Sequence, residues 1–517
     1  MARTSLKNFT VVGEGAQHTY IAPHDNHNEV RAMCEVRDHG VPRSRVREMC
    51  GIFAEMPREK HVELCRKQLN EKVEQCCPIL SKVLQHTEPT NVVPHCSAAH
   101  ALDVLGMAIA HKLKIEFPND NFRNHLPDLM SRLKERHQKV DIVLQGDGHP
   151  ARRRLFGQTQ MSIRLVFDGD AADTVDPTAY LPLFIYDGKE STEFLRQGWE
   201  MANADTLVDF VNTDDFLNLY FCSDWKFEAA FFARKGPTAK AFCVHCSCDL
   251  HDKEKLDEEF EMLDEWSQNG TVGVPICRLE PHQILCDVLH CWLRISHKLF
   301  KLFWRELEQE YSVELETAFQ SELRRIGITN FSFYFDDGVR KWNALTGVQC
   351  EIFFKKFEIS SLVRSEAKVV KLKKLWSLWL EIGTTMRLRN DAVLSYPWRE
   401  KIEEWKDIFL FTDNAVNRPL WEENDFDNMV YMYSKSDLTP YMHKLISHIP
   451  QFFENQCILG LYSCDTLELT NRMHRQVIER GKTSGDKTKD VMEWCFRQVH
   501  YVVTPQPNML SKTTYRG

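Results

Sequence analysis

At 517 residues, 43% hydrophobic and 11% aromatic, the chain has apolar material for two to four packed domains, which excludes a disordered or fibrous protein. A net charge of −9 is the wrong sign for a protein that coats nucleic acid over its whole surface, so phosphate contacts must come from local basic faces. No apolar run reaches the length of a helical membrane span, and the opening MARTSLKNFTVVGEG lacks the apolar core of a secretory signal, so a cytosolic or nuclear protein is expected.

The seventeen cysteines are an odd number, scattered among CxxC, CC and single positions, which in a reducing compartment favours thiols and metal ligation over disulfides. Residues 1–28 are polar and rich in His, Asn and Gly, and read as a flexible arm. From Asn28 two helical segments flank Gly40 and Pro42, the outline of a helix-turn-helix. Its second helix carries Arg43, Arg45 and Arg47 as candidate DNA contacts; a surface hairpin of basic helices is the alternative. Helical periodicity continues to 139, through HVELCRKQLNEKVEQC, AAHALDVLGMAIAHKL and LPDLMSRLKERHQKV. Residues 29–139 are therefore expected to be a helical region for DNA binding or dimerisation.

At Val140 the texture changes. VDIVLQGDG, MSIRLVFDGD and AYLPLFIYDG read as strands, ESTEFLRQGWEMANADTLVDFV as helical, and FLNLYFCSDWKF as a fourth strand ending near Asp224. The order strand, strand, strand, helix, strand is what an RNase H-like fold needs. In that fold an acidic residue on the first strand and another just after the fourth share divalent metal, which singles out Asp147 and Asp224. Asp168, Asp170 and Asp187 sit in DG turns and read as turn residues. Arg152, Arg153 and Arg154, just beyond Asp147, are candidate phosphate contacts or a solvated charge cluster.

KAFCVHCSCDLHDKEKL crowds Cys243, His245, Cys246, Cys248 and His251 together. A CxxC turn supplies two thiolates of a tetrahedral zinc site, and two more ligands are required. They are expected from His443 and His448, which share HxxxxH spacing far downstream and would make the site a clip between distant segments. A local site using Cys248 and His251, or unligated thiols, are the alternatives. Residues 246–440 read as a zinc-linked helical insertion, aromatic-rich from about 275, and Lys368, Lys371, Lys373 and Lys374 form either a DNA-facing patch or a solvated face. Residues 441–503 carry the two histidines and then Glu468, followed at helical spacing by Asn471, Arg472 and Arg475, a carboxylate on a basic face suited to phosphate. Residues 504–517 read as a tail.

Taken together, the GDG around Asp147, Asp224 ahead of CVHC, DVLHC at Asp287 to Cys291, HKLISHIP and ELTN beginning at Glu468 occur in an order similar to that of the Transib transposases and the related catalytic subunit of the V(D)J recombinase. The resemblance spans about 140 to 503. It implies an α/β RNase H-like catalytic core, 140–245 and 441–503, interrupted by the helical insertion and preceded by a mostly α DNA-binding region. It further implies Asp147, Asp224 and Glu468 as ligands for two catalytic Mg²⁺ or Mn²⁺ ions, with Cys243, Cys246, His443 and His448 around a structural Zn²⁺. His290 falls where the family has a histidine important for DNA cleavage; by itself it reads as a histidine near a helix start. The implied activity is cutting at terminal inverted repeats, hairpin formation on flanking DNA and strand transfer into target DNA. A nuclear homodimer is implied, with no accessory subunit required by the sequence. The alternative is a domesticated DNA-binding protein without cleavage, and a zinc hydrolase is a third possibility, which would need a zinc with an open coordination position.

Overall fold

The computed structural model describes residues 8–13, 16–21, 80–84, 91–115, 122–149, 158–167, 180–252, 255–308, 313–337, 339–410, 433–480 and 487–503. The chain divides into two compact units: residues 1–219 with 466–517, and residues 220–465. These boundaries differ from those read from the sequence, which ended the first part of the sheet region at 245 and resumed it at 441.

The expected arm is not featureless. Strands β1 (Asn8–Gly13) and β2 (Ala16–Ile21) pair antiparallel in a small sheet of their own. The two runs are rich in Thr, Val, Tyr and Ile, residues that favour a pleated backbone, and only two positions separate them, the spacing of a tight hairpin. The candidate helix-turn-helix with Arg43, Arg45 and Arg47, the segment with Arg152, Arg153 and Arg154, the turn residues Asp168 and Asp170, and the tail 504–517 lie outside the described residues.

A second correction concerns the helical region. Strands β3 (Leu80–Leu84) and β4 (Asn91–His95) form where helix was expected, and they belong to the main sheet. Five-residue runs are too short for periodicity to separate strand from helix, and it is pairing that decides: β3 pairs along β4, and His95 of β4 pairs with Phe184. The helical reading holds for α1 (Ala98–Leu113) and α2 (Leu126–Glu135), where Leu126, Leu129, Met130 and Leu133 form the buried stripe of α2.

The strand reading from Val140 onward also holds. β5 (Val140–His149), β6 (Gln158–Phe167) and β7 (Tyr180–Asp187) form an antiparallel meander, helices α3 (Thr192–Ala202) and α4 (Asp205–Val211) follow, and β8 (Leu217–Phe221) returns to the sheet. The single expected helix is broken because Asn203 takes a left-handed conformation, φ 51°, and caps α3. The six strands lie in the order β3-β4-β7-β6-β5-β8. Val140 N–H donates to Phe216 O, and the Asn218 amide donates to Asp141 at 2.7 Å. An antiparallel β8 would put Asn218 and Asp141 about 10 Å apart along the strands, so β5 and β8 run parallel. Ile142, Val143, Leu144 and Gln145 are wholly buried, so both faces of β5 are covered although it lies next to the edge strand β8.

The second unit begins within β8 and is mostly helical: α5 (Trp225–Phe231), α6 (Val288–Glu308), α7 (Val313–Arg325), α8 (Gly347–Lys356), α9 (Glu366–Thr385), α10 (Trp398–Leu410), α11 (Pro440–His443), α12 (Ile449–Glu454) and α13 (Leu459–Tyr462). A short antiparallel hairpin, β9 (Phe333–Asp336) and β10 (Val339–Trp342), interrupts the helices. Its core is aromatic, as the tryptophan content of this stretch leads one to expect. Trp292 of α6 stacks on Trp379 of α9 with ring centroids 5.3 Å apart, and the Trp379 indole donates to Ser296 at 2.9 Å. The chain then returns to the first unit through α14 (Asp465–Arg480) and α15 (Lys487–Val503), and α15 packs on β7 and β4. Among the described residues no helix is long and apolar enough to cross a membrane.

Candidate metal centre and carboxylate positions

Cys243, Cys246, His443 and His448 converge in the second unit, with one ligand atom from each within 4.8 Å of all the others. Cys243 and Cys246 are 2% and 6% exposed and both histidines are wholly buried. Cys243 Sγ lies 3.4 Å from His448 Nε2, and Cys246 Sγ lies 3.3 Å from His443 Nε2. Zinc bonded to sulfur at about 2.3 Å and nitrogen at about 2.0 Å in a tetrahedron separates those ligands by about 3.5 Å, so the residues fit the ion.

The spacing of the histidines has a physical cause. In an α-helix residues five apart are turned about 140° from each other, which would aim the two rings at different neighbours. Here Lys444–His448 form a π turn between α11 and α12, and its i→i+5 closure brings His443 and His448 to one site. The Ser447 hydroxyl donates to Glu258 O at 2.9 Å and faces His443 Nδ1 at 3.5 Å, so it can accept from Nδ1 while Nε2 carries the ligand lone pair. On the cysteine side the Cys248 N–H points at Cys246 Sγ at 3.4 Å, and the Arg234 guanidinium holds Cys243 O at 2.8 Å.

The two thiols are shifted in opposite directions: the neighbouring Cys243 sulfur, then burial, push the Cys246 thiol well up. Burial opposes ionisation of Cys243, but the Cys246 thiol and the neighbouring His448, His245 and His443 outweigh it and hold the Cys243 thiol well below its ordinary value. Burial also pushes His448 down to about 4, which keeps the ring neutral as a ligand must be. The local alternative falls away: Cys248 is buried and pushed up to about 12 chiefly by desolvation, His251 is exposed, and neither joins the group. His245 is a core histidine, its Nε2 2.6 Å from Ile284 O. With four protein ligands the site is closed, the pattern of a structural and not a hydrolytic metal.

The expected acidic residues are placed as follows. Asp147 is on β5 opposite Gln160 of β6, half-buried. The Asn471 amide donates to Asp147 Oδ2 at 2.5 Å, and the Gln160 amide donates to Asn471 Oδ1 at 2.5 Å. Asn471 lies three residues past Glu468 on α14, so the face of α14 that carries the exposed Glu468 is tied to the end of β5. The side chains of Arg472 and Arg475, on the same helix, lie outside the described residues. Asp224 belongs to the second unit, three residues past β8, where it caps α5: its side chain accepts from Phe227 N–H at 2.7 Å. Asp187 ends β7, as a turn residue should.

His290, on the first turn of α6, is linked through Nδ1 to Asp287, which also accepts from the N–H groups of Leu289 and Cys464. Burial acts to raise the Asp287 carboxyl, but His290 and the hydrogen bonds from Cys464 prevail and hold it below its usual range. An ionised carboxylate only accepts, so Nδ1 carries the proton and a neutral ring keeps its lone pair at Nε2.

Of the lysine run, three members lie on a solvated face, the second of the two readings, and one is core. Lys368, Lys373 and Lys374 pair with Glu306, Glu358 and Glu404 at 3.5, 3.0 and 2.9 Å, and Lys371 is 2% exposed with its amine lowered to about 8 by burial. A charge run read as one surface is three ion pairs and a core residue. Missed altogether was the pair Lys444–Glu228, 3.2 Å apart with side chains 7% and 3% exposed, the lysine also lying over the Trp225 ring. No local pattern marks residues 216 apart as partners.

The class these observations define is a mixed α/β protein with a six-stranded sheet, many helices and a buried Cys2His2 group that could bind a structural metal such as zinc. Comparison of the chain with protein-family models and with curated proteins finds no match.

Proposed function

We propose that this chain is a DDE-type DNA transposase or recombinase with an RNase H-like core, in which Asp147, Asp224 and Glu468 hold two Mg²⁺ or Mn²⁺ ions. The observation that carries the proposal is the hydrogen bond from Asn471 to Asp147, which seats the Glu468 helix near the end of β5, a strand buried on both faces, across 324 residues of sequence. The strand order β7-β6-β5-β8, an antiparallel meander with β8 alongside β5, is the order an RNase H-like core uses, and it supports the same reading. Hard carboxylate oxygens at the end of a buried strand suit such ions. When bound, the ions supply polarisation of the phosphoryl group and activation of the attacking oxygen.

The chain's own residues do the rest. Asn471, held by Gln160, orients the Asp147 carboxylate, and Asp287 orients the His290 ring through Nδ1. Water attacks phosphorus and the P–O3′ bond breaks, leaving a 5′-phosphate; the freed 3′-hydroxyl then attacks the phosphorus of a second phosphodiester and displaces that linkage's own 3′-oxygen, which takes up the proton as a hydroxyl, so no covalent enzyme intermediate is required. Double-stranded DNA ending in inverted repeats is the proposed partner, held by a nuclear homodimer that keeps two ends together.

The test uses the purified full chain with duplexes carrying candidate terminal inverted repeats. Metal-dependent cleavage that disappears in Asp147→Ala, Asp224→Ala and Glu468→Ala, with zinc content and DNA binding unchanged, is the expected result. Binding without metal-dependent cleavage overturns the enzyme and leaves a DNA-binding protein.

A further inference from the structure

We infer a second thiophilic cation site in the second unit, formed by Cys222, Asp287 and Cys464 and separate from the Cys2His2 group. The three residues come from the end of β8, the loop before α6 and the residue before α14, and one ligand atom of each lies within 4.8 Å of the others. They are 0%, 7% and 2% exposed. Two cysteines and an aspartate from segments so far apart in sequence meet in one buried cluster, and each supplies an anionic ligand once a metal displaces the thiol protons.

Donor chemistry selects the cation. Two sulfurs and one carboxylate oxygen suit a borderline-soft divalent ion of the zinc class, and disfavour Mg²⁺ or Ca²⁺, which take oxygen alone. The carboxylate is also held in advance. Asp287 Oδ1 accepts from Leu289 N–H at 3.1 Å and Cys464 N–H at 3.2 Å, and Oδ2 is engaged by His290. Outer hydrogen bonds of this kind orient a carboxylate ligand and fix its lone pairs before the metal arrives. Three protein ligands leave one tetrahedral position for water or another anion, in contrast to the closed Cys2His2 site.

Location gives the site its consequence. Cys222 precedes Asp224 by two residues and Cys464 precedes Glu468 by four, so a metal here would tie together the chain just ahead of both candidate catalytic carboxylates. That consequence rests on the proposed function; the site itself does not.

The decisive measurement is a crystal structure of the full chain, purified under reducing conditions with zinc, with data collected on both sides of the zinc absorption edge. The expected result is an anomalous peak at about 2.3 Å from both Cys222 and Cys464 sulfurs, besides the one at Cys243. No peak there, or a sulfur–sulfur bond between Cys222 and Cys464, overturns the inference. Metal analysis adds a second arm: Cys464→Ser and Asp287→Asn each lose one zinc equivalent, and His443→Ala loses a different one, so the double variant loses two. A folded Cys464→Ser protein with wild-type zinc content refutes the site whatever the outcome of the cleavage assay.

Discussion

Removing one ligand of the Cys2His2 group isolates what the clip does for the second unit. Cys246 and His443 are 197 residues apart, and their sulfur and nitrogen face each other at 3.3 Å. Cross-linking a loop of that size reduces the entropy of the unfolded chain by an amount worth about 5 kcal/mol. Cys246→Ser should therefore lose one zinc equivalent and lower unfolding stability by about that much, a shift of about 2 M in a urea midpoint for a slope near 2 to 3 kcal/mol/M. Tryptophan fluorescence follows the transition, since the second unit holds most of the tryptophans. Cys248→Ser is the control: its sulfur is as buried, but it is not in the group, and zinc should stay. A folded Cys246→Ser protein that keeps its zinc, or loses it with no change in midpoint, refutes the account of the clip.

Glu228→Gln strips Lys444 of its buried partner and should cost about 3 to 5 kcal/mol, most of it recovered in the double variant Glu228→Gln/Lys444→Met, as thermal melts of the three proteins would show. Lys371 has its amine lowered to about 8 by burial, so between that pH and the ordinary lysine value the unfolded chain binds more protons and stability rises with pH. Lys371→Met should remove a cost of about 3 kcal/mol at pH 7 and flatten that rise; melting midpoints at pH 7 and pH 10 that shift alike in both proteins would contradict it. Gly383 of α9 has no room for a side chain, because an added Cβ would come within 2.2 Å of the Trp292 ring, and Gly383→Ala should destabilise by about 1 to 3 kcal/mol in the same melts. An unchanged midpoint would mean that α6 and α9 can separate freely.

Much of the local structure was legible in advance. AAHALDVLGMAIAHKL gives α1 over its whole length, and the three apolar runs from Val140 give β5, β6 and β7, because periodicity and β-branched content act over a few neighbouring residues. β3 and β4 were not legible, since a five-residue run takes its conformation from the strand it pairs with. Within the lysine run only Lys371 departs from a solvated face, since linear proximity in 368–374 says nothing about which carboxylate, or which core, each side chain meets.

By itself the sequence determined the ligand types: CxxC and HxxxxH hold thiolates and imidazoles at spacings a single metal can use, and Asp147 and Glu468 fall at the end of a strand and on a helix face. Only the tertiary structure decided that the HxxxxH segment winds into a π turn, that its rings meet Cys243 and Cys246, and that Asn471 reaches Asp147. Contacts across hundreds of residues depend on how helices and strands pack, and packing is a property of the assembled core that no window of sequence contains.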